Sequence, residues 1–137
     1  MSGLEELQSA WADRVEGFAR DAAPRSRPFA AALVDILRNI ELAESFVRDI
    51  TLKQFADDVL RVYATTRALE IISEASRRLP DDLKASYPSV PWRRIAGAGN
   101  VYRHGYDIVA AEALWDTVKT GQTDLRQAVE AELARAS

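Results

Sequence analysis

Apolar residues recur along this chain at steps of three and four, and no segment alternates apolar and polar positions one for one. That spacing lines up one face of a helix, whereas strict alternation would mark strands. Leu4, Leu7, Trp11, Val15, Phe18 and Ala22 form a first stripe, closed off by Pro24 and Pro28. Phe29, Leu33, Ile36, Ile40, Ala43 and Val47 form a second, with Pro28 suited to the first turn of its helix. Thr51 is placed to cap a third, long helix running to about Arg78. Along it Leu52, Phe55, Val59, Val62, Thr66, Leu69 and Ile72 keep the rhythm until Pro80 stops it. The stretch "PDDLKASYPSVP" reads as a loop with room for one helical turn, and its final Pro91 starts a fourth helix. Farther on, Leu114, Trp115 and Val118, then Gly121, then Leu125, Val129 and Leu133 predict two short final helices. The fold class that follows is all-α, a bundle of four to six helices.

Length and composition narrow the class. A chain of 137 residues, 47% hydrophobic and 28% charged, fits one globular domain around one core. No run of eighteen apolar residues exists, and the acidic, amphipathic N-terminus does not resemble a secretory signal. The expectation is a protein with no membrane partner. The absence of cysteine excludes disulfides and thiolate metal sites, and a single histidine argues against a zinc site built from one chain. No metal and no cofactor is expected, and the composition suits a reducing cytoplasm.

Charge changes the picture more. The net charge is −3, but from Arg77 to Tyr106 six Lys and Arg stand against two Asp, giving +4 there and −7 elsewhere. Inside this basic segment lies "IAGAGNVYRHGYD", residues 95 to 107, with the one histidine. Gly97 and Gly99 each cost a helix interior about 1 kcal/mol relative to alanine, so a second helix or a ligand is expected to approach that backbone. Asn100 and His104 are four apart and share a face, Arg103 lies one position round, and Tyr106 is two beyond the histidine. If Gly105 ends the helix, His104 sits in the last turn, where the dipole favours imidazolium and suits a proton donor. The alternative is a histidine that merely caps the helix and packs under a loop.

General acid–base chemistry on an anionic substrate needs a group to move a proton and a cation to stabilise developing negative charge. His104 and Arg103 are of the right types. Asn100 can hold the histidine tautomer or donate to a phosphate oxygen, and Tyr106 can position phosphate through its hydroxyl. Arg93 and Arg94, near the start of the helix, would extend the basic surface beside this cluster. Arg67, Glu70 and Glu74 are spaced to form a polar ladder on the third helix, read as a semi-buried ion network rather than as catalysts. Trp92 and Trp115 read as packing residues at helix ends.

Four ordered motifs, "RALEIISEASRRLP", "YPSVPWRRIAG", "HGY" and "LWDTVK", carry a resemblance to the HepT-like branch of the HEPN superfamily from about Phe29 to Leu133. The first matches the family pattern R-x-L-E-x-I-G-E-A-x-x-x-L-P. Residues 1–25 lie outside the resemblance and read as an extra amphipathic helix, leaving 26–137 as the HEPN-like domain. The resemblance implies a homodimer whose fourth helices face each other across a cleft lined by an R-x4-6-H-x-Y motif. That cleft would be a metal-independent ribonuclease, the toxin of a toxin–antitoxin pair. It further implies a nucleotidyltransferase antitoxin that transfers AMP onto the motif tyrosine, here Tyr106, with His104 as the motif histidine. The chain departs from the R-x4-6-H-x-Y motif at its arginine: the position just before Asn100, where it is expected, holds Gly99. Arg103 lies one turn on and roughly 40° round the axis, so its guanidinium can reach back over the bare Gly99 backbone into the same volume. The other reading of Gly99 is a non-catalytic HEPN dimer that serves the nucleotidyltransferase as scaffold or regulator.

Overall fold

A computed structural model describes residues 29–102 and 108–135, with positions 3, 5, 6, 8 and 9 near the N-terminus; at 99–102, 108 and 109 it describes the backbone alone. Within 29–102 and 108–135 seven helices follow one another: α1 (Ala30–Phe46), α2 (Leu52–Asp57), α3 (Val59–Arg77), α4 (Asp81–Ala85), α5 (Trp92–Tyr102), α6 (Ile108–Thr120) and α7 (Thr123–Arg135). No strand occurs among the described residues, and none of their helices is long and apolar enough to cross a membrane. Positions 3, 5, 6, 8 and 9 are helical, and the rest of the expected N-terminal helix lies outside the described residues.

The second stripe forms as the spacing predicts. Leu33, Ile36, Ile40, Ala43 and Val47 are all buried, and Phe29 packs against the same core. α3 is central, packed against α1 on one side and α5 on another. Its buried face is built largely from small residues, Ala68, Ser73, Ala75 and Ser76 among them, so the neighbouring helices can come close. α7 lies along α1, and α6 packs on α2, α1 and α3. Leu114, Val118, Leu125, Val129 and Leu133 complete the core from these last two helices. Arg126 of α7 ties it to α1 through Glu44, to which its Nη2 donates, and through Glu41 at 3.5 Å.

The spacing joins residues 52–78 into one helix; the structure divides them. Thr51 caps α2 as expected, in a capping box: Gln54 N donates to Thr51 Oγ1 at 3.1 Å and Thr51 N to Gln54 Oε1 at 2.9 Å. At Asp58 the backbone turns extended, with φ −101° and ψ 96°, and the Asp58 carboxylate caps α3 by accepting from Arg61 N at 3.2 Å. The break serves two packing partners. Phe55 of α2 is fully buried with its ring 5.6 Å from Trp115 of α6, while α3 follows α1 and α5. The helical turn expected after Pro80 forms as a short helix, α4, which buries Leu83.

Candidate functional site

α5 is the helix on which the basic stretch is mounted, and its entry is fixed from two sides. Ile95 N donates to Pro91 O at 3.0 Å, so Pro91 opens the first turn. The half-buried Trp92 points its indole back, donating from Nε1 to the Lys84 and Tyr87 carbonyls at 3.0 and 3.2 Å. Tyr87 in turn donates from its hydroxyl to Glu132 Oε1 on α7 at 2.8 Å, and Arg135 Nη1 donates to the same oxygen at 3.0 Å. Burial, then the hydrogen bond and charge of Glu132, push the Tyr87 phenol above its ordinary pKa. The turn that launches α5 is thus clamped to the C-terminal helix.

Farther along, α5 is held to α3 by a side chain outside the expected site. Ser73, buried, donates from Oγ to the Ala96 carbonyl at 2.8 Å and accepts from Arg77 Nη2 at 3.3 Å. Ile95 and Ala98 face inward and line, with Leu69, Ile72 and Leu125, a cavity of about 40 Å³. The opposite edge of α5 is open. Arg93, Arg94 and Gly97 are exposed, and a Cβ built on Gly97 would meet nothing within 4 Å among the described residues. Arg93, Gly97 and backbone position 100 recur at steps of four and three, which places them on one stripe.

The expected site residues therefore divide. Arg93 and Arg94 stand on the open edge, and neither has an ion-pair partner among the described residues. Asn100 falls in α5, where the backbone alone is described, while Arg103, His104 and Tyr106 lie outside the described residues, as does the side of Gly99 that faces its surroundings. The ladder on α3 shrinks to one pair: Arg67 Nη1 is 3.4 Å from Glu70 Oε2, and Glu74 is exposed and joins neither. Trp92 and Trp115 pack against the core as expected. Ser73 and Arg77 were not expected at the site. The one signal for Ser73 is its departure from the glycine of the family pattern, and only the pairing of α3 with α5 gives it meaning. Among the described residues no group of three His, Asp or Glu side chains is arranged to hold a metal ion.

Among the described residues the chain is an all-helical bundle with a basic edge on α5, consistent with a HEPN-like fold. The ribonuclease HepT-like family profile matches residues 36–132, and the chain belongs to that family. It is 44% identical to a protein of Thermococcus cleftensis named probable ribonuclease HepT, across 64% of this chain and 79% of the relative. It is 36% identical to a candidate RNase of Methanocaldococcus jannaschii, across 76% of this chain and 95% of the relative. A candidate RNase of Caldanaerobacter subterraneus is 34% identical, across 67% and 80%. Comparison with solved structures gives no significant match. An RNase-type function comes with the family.

Proposed function

We propose that the chain is an endoribonuclease that cleaves RNA without a metal, at a cleft between two copies, and that it is the toxin of a pair whose antitoxin is a nucleotidyltransferase. The observation that carries the reading is the family match across 36–132 on a chain whose one histidine follows a helix with an open, basic edge. In this scheme the 2′-oxygen of the substrate attacks the adjacent phosphorus and the 5′-oxygen leaves. His104 moves the proton, Arg103 stabilises the charged phosphorane, and Asn100 and Tyr106 hold His104 and phosphate in register. A dimer supplies two of each group to one cleft. AMP attached to Tyr106 would bring phosphate into that basic surface and repel the RNA backbone, which is how the partner would silence the enzyme. The mass of the Tyr106 peptide after co-expression with a neighbouring nucleotidyltransferase reports that step, and an unmodified peptide from a silenced complex points to inhibition by binding alone.

One feature favours a second reading. Gly99 stands where the family pattern has arginine, so the chain can instead be a non-catalytic HEPN dimer that binds or regulates the nucleotidyltransferase. Purified chain incubated with total RNA in EDTA separates the two. The enzyme degrades RNA, His104→Ala does not, and Arg103→Ala loses on the order of 10²–10³ in rate, the effect of removing one charged transition-state donor. Wild type and His104→Ala that leave RNA equally intact would establish the scaffold.

A further inference from the structure

The structure sorts the cations of the basic segment into two kinds. Arg78 is already paired at the surface, with Nη2 2.9 Å from Asp35 Oδ2 on α1. Its neighbour Arg77 is turned toward α5, where its Nη2 donates to Ser73 Oγ at 3.3 Å and Ser73 Oγ donates to the Ala96 carbonyl at 2.8 Å. One buried hydroxyl therefore connects an exposed guanidinium to the helix that carries Arg93 and Arg94. None of these three arginines has an ion-pair partner among the described residues, and Glu74, three residues before Arg77 on α3, makes no pair with it. A hydrogen bond to a neutral hydroxyl leaves the full positive charge toward solvent. It also fixes the direction of a long side chain, so that less rotamer freedom remains to be lost when an anion binds.

We propose that Arg77, oriented by Ser73, is a binding residue for the sugar-phosphate backbone of single-stranded RNA, forming one edge with Arg93 and Arg94. This rests on the ribonuclease reading and extends it from α5 to α3. The strand would meet Arg77 and the two α5 arginines on its way to the stretch that holds His104. Arg77 takes no part in bond making; its contribution is charge at a fixed place.

The test measures binding of a short 2′-O-methyl RNA, which lacks the 2′-hydroxyl nucleophile, by fluorescence anisotropy in EDTA across a range of salt. Cleavage of the unmodified RNA is followed in parallel. Arg77→Ala should weaken binding several-fold and flatten the slope of log Kd against log salt by about 0.7, one phosphate contact on a single strand. Arg77→Lys should keep the slope and Arg77→Gln should lose it, because the phosphate responds to charge. Ser73→Ala should keep the slope and still weaken binding, since it removes the orientation and leaves the charge. Circular dichroism on each variant checks that the helices persist. A wild type that cleaves RNA beside an Arg77→Ala protein of equal affinity and slope would overturn this inference alone; a wild type that neither binds nor cleaves would overturn the ribonuclease reading and this inference with it.

Discussion

Glu132 is 3% exposed, and a carboxylate so buried needs donors close by. Tyr87 and Arg135 supply two of them at 2.8 and 3.0 Å. Tyr87→Phe removes one and leaves the buried oxygen undersatisfied, so urea unfolding at neutral pH should show a loss of about 1–2 kcal/mol. The pH dependence has a defined sign. Burial and Glu132 raise the Tyr87 pKa in the folded state above its unfolded value near 10, so folding favours the protonated phenol. The stabilisation is complete below about pH 10 and is lost as pH rises through the higher folded value. The gap between wild type and Tyr87→Phe should then close as pH climbs past 10; a gap that is constant to pH 11 would show that the phenol does not titrate against Glu132. This pairing was not legible in the chain, because the partners stand 45 positions apart and the motif that Tyr87 opens says nothing of what its hydroxyl meets. His104, Arg103, Asn100 and Tyr106 are a different case: residue types and short spacing drew notice to them, the family resemblance gave them roles, and Arg103, His104 and Tyr106 lie outside the described residues.

At the scale of the element, periodicity sets where helices run but is silent on where a helix bends. The stripe on α1 was legible, since Leu33, Ile36, Ile40, Ala43 and Val47 are all buried in the core. The stripe from Leu52 to Ile72 passes through Asp58 without losing phase, so it gave no notice that α2 and α3 pack against different neighbours. What marks the break is capping chemistry. Asp58 accepts from Arg61 N at 3.2 Å and from Arg61 Nε at 3.1 Å, and Arg61 Nη1 donates to Phe46 O at 3.0 Å, joining the start of α3 to the end of α1. Asp58→Ala should cost about 1–2 kcal/mol in denaturant unfolding, the usual loss for an N-cap, and Asp58→Asn should recover most of it. If alanine is as stable as wild type, the helix is continuous in solution and the cap contributes nothing. The same limit on periodicity hid the anchoring of α5: Ser73 lies on the small-residue face of α3, and its hydroxyl acquires a role only once Ala96 is beside it.

For the whole molecule the decisive position is Gly97. Its place on the open edge of α5 means that nothing described within one protomer requires a glycine there, since a Cβ would meet nothing within 4 Å. Helix propensity alone then predicts that Gly97→Ala stabilises the isolated protomer by about 1 kcal/mol. The homodimer proposed above gives the glycine a reason: two α5 helices facing each other, with the polar cluster lining the gap, approach most closely where side chains are absent. A larger side chain separates the two accounts. Gly97→Leu should leave the helical signal and the unfolding midpoint of the protomer intact, yet weaken the dimer ten-fold or more, an overpacking penalty of about 1–3 kcal/mol at the interface. Sedimentation across a concentration series reads the shift, and RNA cleavage should fall with the dimer fraction because each cleft draws on both copies. Should wild type sediment as a monomer at micromolar concentration, or Gly97→Leu dimerise and cleave like wild type, α5 would not be the contact between copies and one histidine would have to serve each site alone.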